Sequence, residues 1–211
     1  MNNSNRISQQ AMHRLPYYLQ FLKKLRTEGA KYASAPILAA KFKFTEIQVR
    51  KDISSISSVK GKPKTGFEIN TLIADMEETL GYNQKDLAVL VGAGSLGKAL
   101  MGFKGFGFYG IDIVAAFDSD PSKIGTVISD KPVHSSDDIS VWCRENHVPI
   151  GIITVPEKFA QIACDQLVGG NIKAIWNFAP THLSVSSDIL VQNENMAASL
   201  ALLSKHLKNN K

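Results

Sequence analysis

The stretch that most constrains the fold is residues 86–97, DLAVLVGAGSLG, in which an apolar run leads directly into closely spaced glycines. The apolar run at 87–91 is typical of a strand that is covered on both faces in a parallel sheet. The GAGSLG that follows matches the GxGxxG pattern of dinucleotide-binding folds. There the glycines allow a tight turn, a close approach of a pyrophosphate and close packing of the next helix. Alone, the pattern also fits an ordinary strand-to-helix turn.

A second apolar run ends in an acidic residue at the spacing that dinucleotide folds require. Residues 111–117 predict a buried strand, and Asp118 follows that strand directly. It lies about 20 residues after Gly97, where a carboxylate meets the hydroxyls of the adenosine ribose. A carboxylate there repels a 2′-phosphate, so NAD(H) is favoured over NADP(H). Asp120 is expected to belong to an ordinary turn.

Strands and helices alternate through the rest of this region, which predicts an α/β fold with a doubly wound parallel sheet. The predicted strands are 86–91, 111–117, 150–155 and 174–177, the last of which closes the core, and the predicted helices are 95–101, 137–146 and 157–168. Ligands of such sheets bind beyond the carboxyl ends of the strands. The predicted cofactor contacts are therefore Gly92, Ala93, Gly94, Ser95, Leu96, Gly97, Asp118, Thr154, Val155, Pro156, Asn177, Phe178, Ala179 and Pro180. For 154–156 and 177–180 the alternative is that they only terminate their strands.

The positive charge of the chain is concentrated at its N-terminal end. Residues 1–64 carry 13 Lys and Arg against three acidic residues, whereas the remainder carries 11 against 16. Such an asymmetry indicates a polyanion partner, although a basic region can also be no more than a solvated face.

The basic region has the pattern of a helix-turn-helix. A first helix is predicted from residue 14 to residue 25, with Pro16 in its first turn and Gly29 as its stop. A short helix at 35–42, capped by Ser34, and a helix from Thr45 to about Ser57 follow. Thr45 and Gln48 form a capping box. The candidate DNA contacts in these two helices are Ser34, Thr45, Gln48, Arg50, Lys51 and Ser54.

Residues 59–67 then alternate lysines with turn residues, which predicts the wing of a winged helix. Lys60, Lys62 and Lys64 are its candidate phosphate contacts, while the alternative is a solvated linker. Asn70 is expected to cap a further helix at 71–80. The predicted domains are thus 1–81, which binds double-stranded DNA, 82–192, which binds the dinucleotide, and a C-terminal helix at 193–211.

The C-terminal helix carries an apolar stripe of Met196, Leu200, Leu203 and Leu207. Such a stripe packs either on its own domain or on a partner subunit. No stretch resembles a signal peptide or a membrane span, so a cytoplasmic protein without a membrane partner is expected. Cys143 and Cys164 have no metal-ligand spacing and are expected to be reduced, buried and without a metal.

These motifs together resemble the redox-sensing transcriptional repressor family Rex over nearly the whole chain. The residues that carry the likeness are RLPYY (14–18), QVRKD (48–52), GAGSLGKAL (92–100), FDSDPSKIG (117–125), TVPE (154–157) and NFAP (177–180). The resemblance implies a non-enzymatic homodimer that exchanges its C-terminal helices, binds operator DNA and leaves it when NADH binds. It also adds Arg14 to the candidate DNA contacts, and Lys123 and Phe103 to the candidate cofactor contacts.

The sequence departs from the family pattern at two positions of the switch. Phe103 stands where many members have a tyrosine, and Asn195 stands where they have an aspartate. In the family that tyrosine and aspartate are thought to pair across the dimer in the NADH-bound state. A shallower response to NADH is therefore expected. The wing also lacks an aromatic-glycine step and an arginine common in the family, which leaves the operator preference open.

Three other functions fit parts of the sequence. A small NAD-dependent dehydrogenase would need a proton-transfer group near the nicotinamide, but His134, His147, His182 and His206 match no catalytic motif. The CoA-binding domains of acyl-CoA ligases have a similar fold, against which Asp118 favours an NAD ribose. A Rex-like protein with weakened or lost NADH sensing would agree with Phe103 and Asn195.

Overall fold

The computed structural model describes residues 7–58, 61–63 and 65–209, and the chain divides into two compact units at residues 84 and 85. The predicted boundary at residues 81 and 82 falls in the turn just before this division. The C-terminal helix groups with the second unit, and its status as a separate segment stays a prediction. Within the described ranges no helix is long and apolar enough to cross a membrane.

The first unit combines helices with a small antiparallel sheet. Its described elements are α1 (Gln9–Thr27), β1 (Tyr32–Ala33), α2 (Ala35–Phe42), α3 (Glu46–Ser54), β2 (Phe67–Glu68) and α4 (Ile69–Leu80). The helices meet in one core around the fully buried Leu15, Leu22, Leu38, Ile53 and Leu72. The predicted N-terminal helix-turn-helix is confirmed, because α2 and α3 follow one another across a tight turn at Lys43, which has a left-handed backbone.

α1 begins at Gln9 and not at residue 14, because the Ser8 hydroxyl accepts a hydrogen bond from the Ala11 N–H at 3.1 Å and caps the helix there. Pro16 consequently lies in the helix interior, and its predicted place in the first turn is wrong. The proline has no N–H to donate to the carbonyl of Met12. The helix ends at Thr27, and Gly29 adopts a left-handed backbone with φ +87°, as expected for a helix stop.

The chain between α3 and α4 also differs from prediction. α3 ends at Ser54 and not near Ser57, because the Asp75 carboxylate accepts hydrogen bonds from the Ser58 N–H at 2.8 Å and the Ser57 hydroxyl at 3.2 Å. These bonds draw the chain away from the helical path. α4 starts at Ile69, with Glu68 as its cap through the Thr71 N–H at 2.8 Å, so the predicted Asn70 cap is wrong.

The second unit is an α/β structure built on a seven-stranded sheet. Its described elements are β3 (Asp86–Val91), α5 (Ser95–Gly102), β4 (Ile111–Asp118), β5 (Val127–Ile128), β6 (Lys131–Ser135), α6 (Ile139–Glu145), β7 (Ile150–Ile153), α7 (Glu157–Gly169), β8 (Ala174–Asn177), β9 (Leu190–Asn193) and α8 (Met196–Asn209). Short 3₁₀ helices at Lys104–Tyr109 and Ser136–Asp138 precede β4 and α6.

The sheet has the strand order β5-β6-β4-β3-β7-β8-β9, in which all neighbours are parallel except β5 and β6. Without β5, this is the arrangement of dinucleotide-binding sheets, because the chain moves outward from β3 first on one side and then on the other. The direction reverses between β3 and β7. The carboxyl ends of these two strands therefore flank the switch point at which such sheets bind their ligands. The predicted doubly wound sheet is confirmed.

Three strands of this sheet were not predicted. β5 and β6 lie in the segment expected as a connection, and β9 continues the sheet beyond β8, so the prediction that residues 174–177 close the core is wrong. β6 contains Pro132 and only one buried residue, Val133. The side chains of β9 are largely exposed. Such short strands in the outer parts of the sheet lack the apolar run that marks a central strand.

Candidate nucleotide cleft and nucleic-acid interface

The glycine loop after β3 has two positions that only glycine fills without strain. Gly92 has φ +103°, and a Cβ there would lie 2.9 Å from Val155 Cγ1 and 3.0 Å from the Thr154 backbone. A Cβ on Gly97 would lie 2.1 Å from the Gly92 carbonyl oxygen. These are the tight turn and the close helix packing that the dinucleotide pattern predicts.

Gly94 is the second glycine of the pattern, and it stands at the N-cap of α5 with φ −79°. A Cβ there would meet no atom within 4 Å. The protein itself thus leaves open the space above the first turn of α5, whose free N–H groups favour an anion. A pyrophosphate would fill that space.

Thr154 links the loop to the other side of the switch point. Its hydroxyl donates a hydrogen bond to the Gly92 carbonyl at 2.7 Å or to the Val91 carbonyl at 3.1 Å. The Thr154 N–H also donates to the Val91 carbonyl at 2.9 Å. The end of β7 therefore holds the glycine loop in place.

Asp118 ends β4 and is 8% exposed. Its Oδ2 accepts hydrogen bonds from the Ala93 N–H at 2.8 Å and the Lys123 ammonium at 3.0 Å, and its Oδ1 accepts one from the Asp120 N–H at 2.9 Å. Burial opposes ionisation, but these donors together hold the pKa of Asp118 below its ordinary value. A carboxylate has about four acceptor positions, so it retains capacity for a ribose hydroxyl.

A cleft of about 650 Å³ joins these features at the carboxyl edge of the sheet. Seven predicted cofactor residues line it, namely Gly92, Gly94, Asp118, Lys123, Thr154, Val155 and Pro156. Sequence reasoning missed Phe159 and Ile162, whose side chains also line the cleft although they are 46% and 59% exposed. Phe159 and Ile162 follow the TVPE motif and lie three residues apart, about one helical turn, which was the available signal. The same spacing is equally typical of a helix that packs on a core.

The predicted NFAP residues, Asn177, Phe178, Ala179 and Pro180, lie beside the cleft and do not line it. The Asn177 amide is fully buried, and its two N–H groups are shared among the Thr181 carbonyl and Asn193 Oδ1, each at 2.8 Å, and the Ala179 carbonyl at 3.2 Å. The Phe178 N–H donates to the Ile153 carbonyl at 2.9 Å. The motif is therefore a braced loop at the end of β8. Of the other loop residues predicted as contacts, Ala93 is buried, and Ser95, Leu96 and Gly97 form the first turn of α5.

In the single chain, Phe103 does not line the cleft. Its ring is 57% exposed, lies 5.0 Å from that of Phe106, and lines a separate pocket of about 290 Å³ with Lys85, Lys104 and Lys131. Asn195 caps α8, because its Oδ1 accepts a hydrogen bond from the Ala198 N–H at 2.8 Å.

In the first unit, α3 separates two concave surfaces that carry the predicted DNA contacts. Ser34, Arg50, Ser54 and Lys62 line a groove of about 830 Å³, and Arg14, Thr45, Gln48 and Lys51 line one of about 590 Å³. The Thr45 half of the predicted capping box is confirmed, since Thr45 Oγ1 accepts a hydrogen bond from the Gln48 N–H at 3.2 Å. The Arg50 and Lys51 side chains are exposed.

The described part of the wing is a tight turn fixed to the small sheet. Lys62 and Gly66 exchange backbone hydrogen bonds at 2.8 and 2.9 Å, and the Lys62 ammonium lies 5.8 Å from the centre of the Tyr32 ring. Gly66 has φ +93°, and a Cβ there would lie 2.3 Å from the Ala33 carbonyl oxygen. The predicted phosphate contacts Lys60 and Lys64 lie outside the described residues.

Arg14 has a structural partner that sequence reasoning missed. Its Nε and Nη2 donate hydrogen bonds to the two oxygens of Asp52, each at 2.8 Å, and the Tyr18 hydroxyl donates to Asp52 Oδ2 at 3.0 Å. Asp52 is 4% exposed. The bonds with Asp52 raise the pKa of Arg14, while burial and then Asp52 raise the pKa of Tyr18 to about 12. This network fixes α3 against α1, so Arg14 is engaged within the protein.

The described residues contain no group of three or more His, Cys, Asp or Glu that could hold a metal ion. Cys143 and Cys164 are free and buried, as expected, and burial raises the pKa of each thiol to about 11.

Two family profiles match the chain. One is described as a CoA binding domain and matches residues 83–181, and the other is described as a putative DNA-binding protein N-terminus and matches residues 6–54. Among curated proteins, the redox-sensing transcriptional repressor Rex of Treponema denticola is 42% identical, over 92% of this chain and 91% of that protein. Rex of Bacteroides fragilis is 38% identical, over 99% of this chain and 94% of that protein.

Solved structures show the same likeness. The crystal structure of RSP in complex with β-NAD+ and operator DNA is 30% identical, with a TM-score of 0.88 over 97% of this chain and 94% of that chain. RSP in complex with β-NADH is 29% identical, with a TM-score of 0.82 over 98% of this chain and 96% of that chain. RSP is a Rex-family repressor.

A DNA-binding unit followed by a dinucleotide-binding sheet defines a ligand-responsive transcription regulator. The chain belongs to the Rex family of redox-sensing transcriptional repressors. It is therefore a regulator and not an enzyme, and the dehydrogenase alternative is set aside.

Proposed function

We propose that the protein represses transcription in the cytoplasm as a homodimer that binds operator DNA, and that it leaves the DNA when NADH binds in the cleft. The observation that carries the proposal is the Asp118 carboxylate fixed beside the glycine loop at the switch point of the sheet. The same chain presents exposed cations on α3 and the wing. The named relatives RSP with β-NAD+, β-NADH and operator DNA support both halves of the proposal.

The residues of the cleft fit a dinucleotide. Asp118 would accept hydrogen bonds from the adenosine ribose hydroxyls, and the first turn of α5 beyond Gly94 would donate N–H groups to the pyrophosphate. Phe159 and Ile162 offer apolar surface for the adenine ring. The nicotinamide supplies the redox difference, because its oxidised ring is positively charged and its reduced ring is neutral. We place that ring toward the braced NFAP loop.

The family profile described as a CoA binding domain names a second nucleotide. CoA shares the adenosine and pyrophosphate but has a phosphate on its adenosine ribose. The Asp118 carboxylate repels a phosphate on that ribose, which favours NADH over CoA.

α8 is the proposed dimer element. Four side chains of its predicted stripe, Met196, Leu200, Leu203 and Leu207, are 58–72% exposed in the single chain. A contiguous exposed apolar stripe on a helix is typical of an interface. A second copy of the chain would bury it, with the helices exchanged as in the family resemblance.

Weakened NADH sensing is the second candidate function. Asn195 is occupied as the cap of α8, and Phe103 has no hydroxyl, so these positions cannot form the charged pair expected of the family. In that case NADH should still weaken DNA binding, but the change in DNA affinity should be small.

The experiment is a fluorescence anisotropy titration of labelled palindromic operator DNA with the protein, repeated with NAD+, NADH, NADPH and CoA. Of these four ligands, we expect only NADH to weaken DNA binding, by about fivefold to fiftyfold. Equal DNA affinity under all conditions would contradict redox sensing, and release by CoA would reassign the ligand. Sedimentation of Leu203→Glu against the opposite-face control Lys205→Glu tests the dimer: only the first should yield monomers.

A further inference from the structure

One row of aromatic rings in the second unit leads from the end of α5 to the carboxyl end of β8. The ring centres of Phe103 and Phe106 are 5.0 Å apart, those of Phe106 and Trp176 are 5.9 Å apart, and those of Trp176 and Phe178 are 4.5 Å apart. Phe178 directly follows β8, and its ring packs on that of Trp176, two positions earlier in the chain. The indole of Trp176 therefore packs between the rings of Phe106 and Phe178.

Trp176 is also bonded to the segment that leads into the C-terminal helix. Its indole N–H donates a hydrogen bond to Glu194 Oε1 at 3.1 Å, and both groups are partly buried. Glu194 lies between the end of β9 at Asn193 and the start of α8 at Met196. The indole N–H can only donate, and Glu194 supplies its acceptor, while the rings of Phe106 and Phe178 pack against the indole.

Two further bonds attach the same segment to β8. The Glu194 N–H donates to the Asn177 carbonyl at 2.8 Å, and the Asn177 amide donates to Asn193 Oδ1 at 2.8 Å. Asn177 is fully buried and braces the NFAP loop. The segment before α8 is therefore bonded to Trp176 and Asn177, at the start of the NFAP loop that we place against the nicotinamide.

The two sets of contacts connect the cleft to α8 by adjoining residues. Phe178 follows Asn177, and its N–H bonds to Ile153, next to the cleft residue Thr154. A displacement of Phe178 would move the Trp176 ring that packs on it, and the indole would carry Glu194 with it. The charged pair at positions 103 and 195 is absent here, whereas this path needs neither residue to be charged.

We propose that Trp176 and Glu194 are positioning residues that transmit occupancy of the cleft to the C-terminal helix. The inference rests on the proposed function, since it concerns how NADH binding would reach the dimer element. The bond acts through the orientation of α8 and requires no contact between Glu194 and the ligand.

The test uses the full-length protein and measures operator affinity by fluorescence anisotropy with and without NADH. Trp176→Phe keeps a ring in the row but removes the N–H donor, and Glu194→Ala removes the acceptor. Glu194→Gln is the matched control, because its side-chain carbonyl still accepts the indole N–H. The readout is the operator affinity without NADH divided by the operator affinity with NADH. A loss of stability alone would not change this ratio.

We expect Trp176→Phe and Glu194→Ala each to lower this ratio toward one, by about threefold or more, the size of one hydrogen bond. The double variant should lower the ratio no further than either single variant does, since both changes remove the same bond. Glu194→Gln should stay within about twofold of the parent. An unchanged ratio in both single variants, additive losses, or an equal loss in Glu194→Gln would overturn the inference. A parent ratio of one would instead contradict the proposed function itself.

Discussion

Asp118 accepts a hydrogen bond from the backbone N–H of Ala93 at 2.8 Å, which joins the end of β4 to the glycine loop after β3. The two residues are 25 positions apart in the chain. The bond sets the carboxylate beside the loop, and the Lys123 ammonium donates to the same oxygen, Oδ2, at 3.0 Å. The features that would bind the ribose and the pyrophosphate are therefore held as one unit by the protein alone.

Asp118→Ala should weaken NADH binding about tenfold to one-hundredfold, the size of a charge-assisted hydrogen bond. Asp120→Ala is the control, because Asp120 bonds mainly within its own turn to Ser122. Calorimetric titration with NADH would measure both. The pKa of Asp118 is held below its ordinary value, so its contribution should persist at mildly acidic pH and be lost as the pH falls through that lowered pKa. Equal losses in the two variants, or tighter binding of NADPH by the parent, would contradict the assignment.

Gly92→Ala and Gly94→Ala should separate folding from ligand binding. At Gly92 the new methyl group has a strained backbone and meets Val155 and Thr154, so the free energy of unfolding should fall by about 1–3 kcal/mol. At Gly94 nothing lies within 4 Å, so that free energy should fall by less than about 1 kcal/mol. The Gly94 methyl group would occupy the pyrophosphate space and should reduce NADH affinity at least about tenfold, the discrimination of a small steric change in a pocket. Urea denaturation and calorimetry measure the two effects, and normal NADH affinity in Gly94→Ala would count against a pyrophosphate at this loop.

Lys62→Ala should weaken binding to operator and random DNA by the same factor, because the wing lysine is expected to contact phosphates. The slope of log affinity against log salt should decrease by about one. Lys173→Ala, which removes an exposed lysine from the other unit, should leave both unchanged. Affinities measured across a range of KCl concentrations would decide. A loss confined to the operator would show that Lys62 reads sequence instead.

Arg14→Ala should destabilise the first unit, because it leaves the buried Asp52 carboxylate without its cation. Removing one partner of a buried ion pair lowers the free energy of unfolding by about 3–5 kcal/mol. We expect the lower end of this range, because the Arg14–Asp52 pair is slightly exposed. Operator affinity should fall as well, since α3 loses its anchor on α1. The exposed Arg26→Ala on the same helix is the control for urea denaturation. Unchanged stability with a loss of DNA binding would mean that Arg14 acts by touching DNA.

The sequence predicted the centre of the sheet and the main features of the cleft, because these follow from local patterns. The run before Gly92 and the acidic end of the next strand are contiguous signals, and the structure places them as the patterns require. The bond from Arg14 to Asp52 spans 38 positions, so no local pattern reveals that Arg14 has a partner within the protein.

Other features had weak or competing signals. Pro16 was assigned to a first turn because proline is favoured there, but the Ser8 cap starts the helix earlier. β9 has mostly exposed side chains and thus no apolar run, although it supplies Asn193 and leads to Glu194. Phe159 and Ile162 could be assigned to the cleft only once the position of α7 was known.

Thermodynamic linkage tests most directly whether NADH and operator DNA each weaken the binding of the other to this protein. If NADH weakens operator binding by some factor, the operator must weaken NADH binding by the same factor. Calorimetric titration of NADH into the free protein and into its saturated operator complex measures that factor from the ligand side. We predict weaker NADH binding to the complex by about fivefold to fiftyfold, within the usual range of allosteric coupling. Identical NADH affinity in the two titrations would contradict the account.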